Sequence, residues 1–198
     1  ELARAKVPVF LTDGLGRPLA TLEPVDSIRA EDIARQAEAS VGPLGARLAA
    51  AMLEGKLRNA SGLLRVRAKH PRDEATRRAI DTALASGDAA RRAISCLAAD
   101  AERMDRTLRS RMMGHEGDAA RAYWTAVAAL LAPAASFPGR RHHGEAGDAV
   151  NVCLNYGYGV LYQRVERAIV VAGLSPRVGM LHAAGPKRVG LVWDMVEE

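Results

Sequence analysis

The amino-acid sequence predicts a mainly α-helical protein that begins with a short β-hairpin. Alanine is frequent, aromatic residues make up only 4% of the 198 residues, and runs of β-branched residues are short. Apolar residues also recur at three- and four-residue spacing, which is typical of helices that bury one face. We therefore expect a multi-helix domain over residues 27–198, preceded by a hairpin and linker over residues 1–26.

The hairpin is predicted from two short β-like runs that are separated by turn residues. Residues 7–11 read VPVFL and residues 19–24 read LATLEP, with Gly14 and Gly16 between them. An isolated hairpin is marginally stable in water, so this one requires a sheet or a helix to pack against. Because the sequence starts within this pattern and ends at Glu198 without a helix-stop signal, we expect it to be part of a longer protein.

Capping residues and prolines divide the next part of the sequence into helices. Ser27 is placed to start the first helix, and Pro43 suits the first turn of the second. The second helix carries an apolar stripe to about Lys69. It is expected to end at the His70-Pro71 step, because proline restricts the residue before it.

Glycines mark the predicted ends of the middle helices. A helix from about Asp73 is expected to stop at Gly87, after which Asp88 caps a longer one. Gly114 and Gly117 can let the backbone bend closely, and they come directly before a predicted helix with the sequence DAARAYWTAVAALL.

The last third of the sequence contains a long loop and two further helices. Residues 132–147 lack any period and are rich in proline and glycine, so we expect a loop, and this is the stretch where we expect disorder. Asp148 is expected to cap a long helix that continues to about Ala172. Residues 189–198 have the pattern of a final amphipathic helix.

Composition indicates the cellular setting and the kind of partner. The formal net charge of +5 at pH 7 suits a polyanionic partner such as nucleic acid. Cys96 and Cys153 lie in apolar helical patterns without metal-ligand spacing, so we expect reduced thiols in the core of a cytosolic protein. No apolar run approaches the roughly 20 residues that span a bilayer, so we expect a soluble, cytoplasmic protein without a membrane partner.

Residues 173–198 concentrate the side chains that could carry chemistry. His182 lies twelve residues before Asp194 and fifteen before Glu197. On a helix over residues 189–198, both acids lie at the edge of the apolar face. A carboxylate that is only half solvated there favours a partner such as a metal, another cation or an arginine.

Three motifs in the sequence resemble those of the Cas1 family of CRISPR-associated proteins, the metal-dependent DNA endonucleases and integrases of spacer acquisition. The closing segment resembles the family pattern GL-P--G-LH followed by L--D-hhEE, where h is apolar, and the segments before it resemble G-EG--AR-Y and D-hN--L-Y-Y. The matching residues are Gly173, Leu174, Pro176, Gly179, Leu181, His182, Leu191, Asp194, Glu197 and Glu198, then Gly114, Glu116, Gly117, Ala120, Arg121 and Tyr123, and then Asp148, Asn151, Leu154, Tyr156 and Tyr158.

This resemblance implies a metal site in which Glu116, His182 and Glu197 are the ligands. Asp194 is then a supporting acid, or a base that contacts the ligands and not the metal. All four residues are therefore candidate catalytic residues. Two carboxylates, an imidazole and waters suit Mn²⁺ or Mg²⁺. The segment that contains Asn151 and Tyr158 matches the one that backs the active site in the family, so these two are supporting candidates.

The residues by themselves leave other interpretations open. Glu116 fits a surface acid at a helix start, and His182 fits a hydrogen-bonded histidine without a metal. Asp194 and Glu197 fit the solvated side of a terminal helix. The stripe that contains Asn151 and Tyr158 also fits a buried hydrogen-bonded seam that orients its helix.

Basic residues are the candidates for contact with DNA phosphates. They are Lys56, Arg58, Arg140, Arg141, Lys187 and Arg188. Lys56 and Arg58 lie in a segment that resembles K-RNQ--LL of the family, with Ala60 in place of the glutamine. The loop sequence RRHHGEAG departs from the basic and proline-rich run of the family, and charged loops are usually just solvated.

The resemblance implies that the helical domain is catalytic and joins 3′-hydroxyl ends of new spacer DNA to a CRISPR repeat by transesterification. It also implies a homodimer, a Cas2 partner, and an amino-terminal β domain of which residues 1–26 are a remnant. Some members are fused to a reverse transcriptase, so a fused parent protein stays open. The alternative is a non-catalytic, basic α-helical module that binds nucleic acid or scaffolds a complex.

Overall fold

A hairpin and a set of helices make up the computed structural model, which describes residues 1–2, 4–5, 7–13, 18–22, 29–141, 147–182 and 189–196. The strands are β1 (Val9–Thr12) and β2 (Pro18–Leu22). The helices are α1 (Ala30–Val41), α2 (Pro43–Arg67), α3 (Glu74–Ala99), α4 (Arg106–Leu131), α5 (Ala149–Val171) and α6 (Gly190–Val196). The predicted mainly α fold with an amino-terminal hairpin is confirmed.

The hairpin is antiparallel and has a contact with α5. Val9 pairs with Leu22 and Leu11 with Ala20. The Arg167 guanidinium of α5 lies 5.5 Å from the centre of the Phe10 ring, which is a cation–π contact between the hairpin and a helix. The predicted boundary near residue 26 lies outside the described residues, so the division of the chain into two domains stays a prediction.

Helices α2, α3 and α4 pack together around the main hydrophobic core. Leu53 and Leu57 of α2, Ile94 of α3 and Met112 of α4 are buried there. Met180 and Leu181, which directly precede His182, belong to the same cluster. The segment that carries His182 therefore packs into the core and does not lie on the surface.

Helix α3 continues through the glycine that was expected to end it. It runs from Glu74 to Ala99, and Gly87 lies buried in its middle. A Cβ atom on Gly87 would lie 3.2 Å from Ser61 Oγ of α2, so the glycine allows the two helices to approach closely. The predicted helix end at Gly87 and cap at Asp88 are wrong, because packing of α2 against α3 outweighs the local helix-breaking tendency of glycine.

Helix α4 likewise runs through both of its glycines. Asp105 caps it, accepting a hydrogen bond from the Leu108 amide at 2.8 Å. Gly114 and Gly117 are interior, and Glu116 lies near the middle of the helix instead of at the start of a new one. The interpretation of Glu116 as an acid at a helix start is therefore wrong.

The other predicted helices form largely as expected. Pro43 opens α2, and the Asp148 carboxylate caps α5 by accepting from the Asn151 amide at 2.9 Å. In the described part, 132–141, of the predicted loop there is no helix or strand, but the Phe137 side chain is buried. That part of the loop is therefore packed rather than disordered.

The two cysteines are not in the core. Cys96 and Cys153 are free thiols, as expected, but both are exposed. The apolar pattern around each one indicated a helix correctly, yet neither cysteine is among the buried residues of the core. Within the described ranges, no helix combines the length and the apolar character needed to cross a membrane.

Candidate active site

The Asp194 carboxylate of α6 is buried beneath the segment that leads to His182. The residue is 1% exposed, and it accepts hydrogen bonds from three successive backbone amides. These are the amides of Met180 at 2.5 Å, Leu181 at 3.1 Å and His182 at 2.9 Å. The prediction of a half-solvated acid at the rim of the core is wrong for Asp194, because this segment folds over α6 and pairs its amides with the buried charge.

Asp194 also holds the His182 side chain. Asp194 Oδ1 lies 2.8 Å from His182 Nδ1, and a carboxylate can only accept, so Nδ1 is the nitrogen that donates. The imidazole is partly exposed and stands edge-on to the Trp193 ring, with 5.6 Å between ring centres. This arrangement fixes the tautomer and leaves Nε2 as the nitrogen that can bind a metal.

Two glycines permit the close approach of this segment to α6. A Cβ atom on Gly179 would lie 2.5 Å from the His182 carbonyl oxygen and 2.8 Å from Asp194 Oδ2. A Cβ atom on Gly190 would also collide with the His182 carbonyl oxygen. Both positions therefore require glycine for space, which is one physical reason for the glycine in the GL-P--G-LH segment.

Glu116 lies on α4 and is paired with a lysine of α2. Its Oε1 atom is 2.6 Å from Lys56 Nζ, and the two side chains are 18% and 27% exposed, respectively. Burial to this degree weakens solvent screening and strengthens the attraction. Lys56, which was predicted to contact DNA, therefore neutralises the candidate metal ligand in this structure.

A cavity of about 850 Å³ opens beside this ion pair. It lies among α2, α3, α4, α5 and the end of α6, and its lining is mostly apolar. Tyr123, Trp124 and Tyr158 contribute aromatic side chains to it, and Val196 lines it from α6. Desolvation, together with the nearby Tyr158, raises the pKa of the Tyr123 hydroxyl.

The buried amide of Asn151 ties the preceding loop to α5. Its Nδ2 atom donates to the Gly139 carbonyl at 2.9 Å and to Asp148 Oδ2 at 2.8 Å, and its Oδ1 atom accepts from the Arg141 amide at 2.7 Å. The bonds from Asn151 also lower the pKa of the Asp148 carboxyl. Asn151 thus connects the loop to α5 through buried hydrogen bonds. This is what the interpretation of its stripe as a hydrogen-bonded seam predicts.

Arg140 is held by the same face of α5. Its Nη1 atom donates to Asn155 Oδ1 at 2.7 Å, and its guanidinium lies 5.1 Å from the centre of the Tyr158 ring. Tyr162, which follows on the same face of α5, is by contrast 37% exposed. The polar and aromatic stripe on α5 is therefore only partly a buried seam.

The structure brings the predicted site residues together in pairs. His182 meets Asp194, and Glu116 meets Lys56. Glu197 and the basic residues Lys187 and Arg188 lie outside the described residues, whereas Arg58 and Arg141 are exposed. Across the described ranges, no group of three His, Cys, Asp or Glu side chains is placed to hold a metal ion.

Sequence reasoning missed Gln36 and Arg109. The Gln36 side chain of α1 hydrogen-bonds the backbone of Ser175 and Val178, and the Arg109 guanidinium of α4 donates to the Met180 carbonyl at 2.9 Å. Their partners lie 139, 142 and 71 residues away, respectively, so no local pattern could have shown these contacts.

Known proteins share both the sequence and the fold of this chain. The family model of CRISPR associated protein Cas1 matches residues 1–198. A CRISPR-associated endonuclease Cas1 from Pyrobaculum aerophilum is 36% identical over 97% of this chain, which spans 58% of the length of that relative. A solved partial Cas6-RT-Cas1–Cas2 complex is 22% identical, with a TM-score of 0.72, over 99% of this chain and 55% of that one. A solved casposase bound to integration product is 24% identical, with a TM-score of 0.68, over 99% of this chain and 54% of that one.

Proposed function

The chain belongs to the Cas1 family of CRISPR-associated proteins, and we propose that residues 27–198 are the catalytic domain of a metal-dependent DNA endonuclease and integrase of CRISPR adaptation. The relative from Pyrobaculum aerophilum is named an endonuclease, and the casposase neighbour is bound to an integration product. Because the chain spans little more than half of these proteins, the activity is proposed for the protein of which this domain is part.

The hydrogen bond between His182 and Asp194 carries this proposal. A histidine that binds a metal usually donates its other ring nitrogen to a carboxylate or a carbonyl, which fixes the ring and raises the basicity of the ligating nitrogen. Asp194 supplies that contact at 2.8 Å from inside the protein. A buried carboxylate that accepts three amides as well is unsuited to swing out, so its role is to support His182.

Glu116 and His182 carry the kinds of donor atom that a divalent cation binds. Glu116 provides a carboxylate that already attracts a cation, the Lys56 ammonium, and His182 provides an imidazole with a fixed tautomer. We propose Glu197 as the further ligand, because it directly follows Val196 at the cavity beside Glu116. Carboxylates with an imidazole suit Mn²⁺ or Mg²⁺.

The proposed reaction is an exchange of phosphodiester bonds. The 3′-hydroxyl of spacer DNA attacks a phosphorus of the repeat in line, one P–O bond forms, and the bond to the leaving 3′-oxygen breaks. When bound, the cation would polarise the phosphodiester. Asp194 keeps the Nδ1 proton on His182, and Lys56 is close enough to Glu116 to pair with a phosphate oxygen once the carboxylate binds a cation.

The proposed partners are DNA, a second copy of the protein and Cas2. The basic side chains Arg58 and Arg141 are exposed and free to reach phosphates from the surface, and Lys187 and Arg188 are proposed for the same role. Likeness to a Cas6-RT-Cas1–Cas2 complex supports Cas2 as a partner and a reverse transcriptase in some parent proteins.

Calorimetric titration with Mn²⁺ tests the metal site directly. We expect His182→Ala to bind Mn²⁺ at least about tenfold more weakly than the unmodified chain, because a nitrogen ligand is lost. His70→Ala is the matched control, since His70 is exposed in the turn between α2 and α3 and lies outside the proposed site. Equal affinity in all three proteins would contradict the metal site and favour the non-catalytic nucleic-acid-binding module.

Strand transfer tests the reaction itself. The protein of which this domain is part should join a 3′-hydroxyl DNA end to a repeat duplex, and Glu116→Ala and His182→Ala should each abolish the joined product. An assay of the reverse reaction on a branched DNA gives a second readout with the same residues. Undiminished joining by either variant would show that the site has been assigned to the wrong residues.

A further inference from the structure

The segment that ends at His182 has no helix or strand to fix its course. Residues 172–182 follow α5 and lack regular structure. A backbone of this kind holds a side chain in one place only if groups from elsewhere satisfy its amides and carbonyls. Asp194 accepts hydrogen bonds from three amides at the end of the segment. The carbonyls of the segment and its earlier residues therefore require other partners.

Gln36 satisfies the first half of this segment. Its Nε2 atom donates to the carbonyls of Ser175 and Val178, both at 2.9 Å, and its Oε1 atom accepts from the Ser175 amide at 2.9 Å. The residue is 7% exposed. A primary amide can donate twice and accept, so one side chain clamps four residues of the segment to α1.

Arg109 satisfies the second half and joins it to the same helix. Its Nε atom donates to the Met180 carbonyl, and its Nη2 atom donates to the Ser40 carbonyl, both at 2.9 Å. Ser40 lies in the last turn of α1, where carbonyls lack partners within the helix. The planar guanidinium thus fixes the distance between α1 and the residue two positions before His182.

We propose that Gln36 and Arg109 are positioning residues for His182. They hold the segment from Ser175 to Met180 against α1 and α4, while Asp194 holds its end against α6. The ring of His182 can face the metal site with Nε2 only if both ends of this segment are fixed. The proposal rests on the proposed role of His182 as a metal ligand.

Variants of similar size can separate positioning from general stability. Arg109→Met and Gln36→Met remove the hydrogen bonds and keep most of the side-chain volume. Arg91→Met is the matched control, because Arg91 is also half-buried, pairs with Asp88 at 3.3 Å and lies on α3 away from this segment. Arg109→Lys keeps the charge and can still donate to the Met180 carbonyl, so it should retain part of the native positioning of His182.

The first readout is the ¹H–¹⁵N spectrum of the histidine rings, with His182 assigned through His182→Ala. In the unmodified chain we expect the signature of a ring protonated at Nδ1. In Arg109→Met and Gln36→Met we expect this signature to broaden or to average between tautomers, whereas Arg91→Met should keep it. An unchanged His182 signature in both methionine variants would overturn the proposal, whatever happens to their stability.

The second readout is Mn²⁺ affinity. We expect it to fall about tenfold in Arg109→Met, to recover partly in Arg109→Lys and to stay unchanged in Arg91→Met, since residues that orient a metal ligand typically affect affinity to this extent. If the unmodified chain binds no Mn²⁺, the proposed function fails while the ring spectra still decide the positioning role. If Arg109→Met does not fold, the ring spectra of Arg109→Lys and Gln36→Met test the positioning role instead.

Discussion

The two described halves of the candidate site are held in place in opposite ways. Glu116 lies in the middle of α4, a helix of 26 residues. Helical hydrogen bonds between neighbours in sequence fix its backbone, and its side chain pairs with Lys56. His182, in contrast, ends a segment without helix or strand, and side chains of α1, α4 and α6 fix its backbone.

Because the two halves are held differently, they are sensitive to different substitutions. A helix positions a side chain through bonds of short sequence separation, so distant substitutions leave it in place. An irregular segment is positioned by partners that are distant in sequence, and each partner that is lost leaves a buried polar group without a hydrogen bond. We expect stability to be sensitive around His182 and tolerant around Glu116.

Replacing Asp194 should have the largest effect. Asp194→Ala removes the acceptor of three amides and of the His182 ring, and it leaves those amides buried. We expect the free energy of unfolding to fall by about 3–5 kcal/mol, because each unsatisfied buried group costs about 1–3 kcal/mol and the costs are not fully additive. Urea denaturation followed by circular dichroism measures this change.

The control for this experiment is an aspartate that is paired but only partly buried. Asp88 lies on α3, and its carboxylate contacts Arg91 and Arg65 near the surface. Asp88→Ala should cost less than about 1 kcal/mol, because solvent screens such pairs. Similar losses in the two variants would mean that the bonds of Asp194 do not set the stability of the His182 segment.

Substituting glycine by alanine should change the stability of the protein in opposite directions in the two halves of the site. A Cβ atom on Gly179 would collide with the His182 carbonyl, so Gly179→Ala should destabilise the protein by about 1–3 kcal/mol. A Cβ atom on Gly114 of α4 would meet no heavy atom of the described residues within 4 Å. Gly114→Ala should therefore stabilise by about 0.5–1 kcal/mol through helix propensity.

Thermal and urea unfolding of these two variants are best compared in parallel with the unmodified chain. A loss of stability in Gly114→Ala would show that α4 is strained or closely packed at that position. A neutral Gly179→Ala would show that the segment before His182 can move away from α6, and that its contacts are weaker than the geometry indicates.

Local signals explain how much of the fold could be predicted. The start of α2 at Pro43, the start of α3 near Asp73 and the cap at Asp148 depend on residues within one turn, and the structure confirms them. The helix stop at Gly87 and the bend at Gly114 were wrong, because packing among α2, α3 and α4 outweighs the roughly 1 kcal/mol that an interior glycine costs.

The candidate site was predictable only in part, for a related reason. The resemblance to the Cas1 family implied one site for His182 and Asp194, and the structure places their side chains 2.8 Å apart. The burial of Asp194 was not predicted, because the segment that covers it folds back from twelve residues earlier in the sequence. The roles of Gln36 and Arg109 were not predicted, because hydrogen bonds between residues that are distant in sequence leave no periodic pattern in it.

The Glu116 half should show a small coupling between Glu116 and Lys56. A double-mutant cycle with Lys56→Met, Glu116→Gln and the combined variant isolates the interaction between the two side chains from their other contacts. We expect a coupling of about 0.5–1 kcal/mol, because the pair is close but still partly exposed. Urea unfolding in low and high salt measures it, and screening should reduce the coupling in high salt. A salt-independent coupling well above 2 kcal/mol would show that this half is held by a dry, buried pair, and the contrast with the His182 half would then disappear.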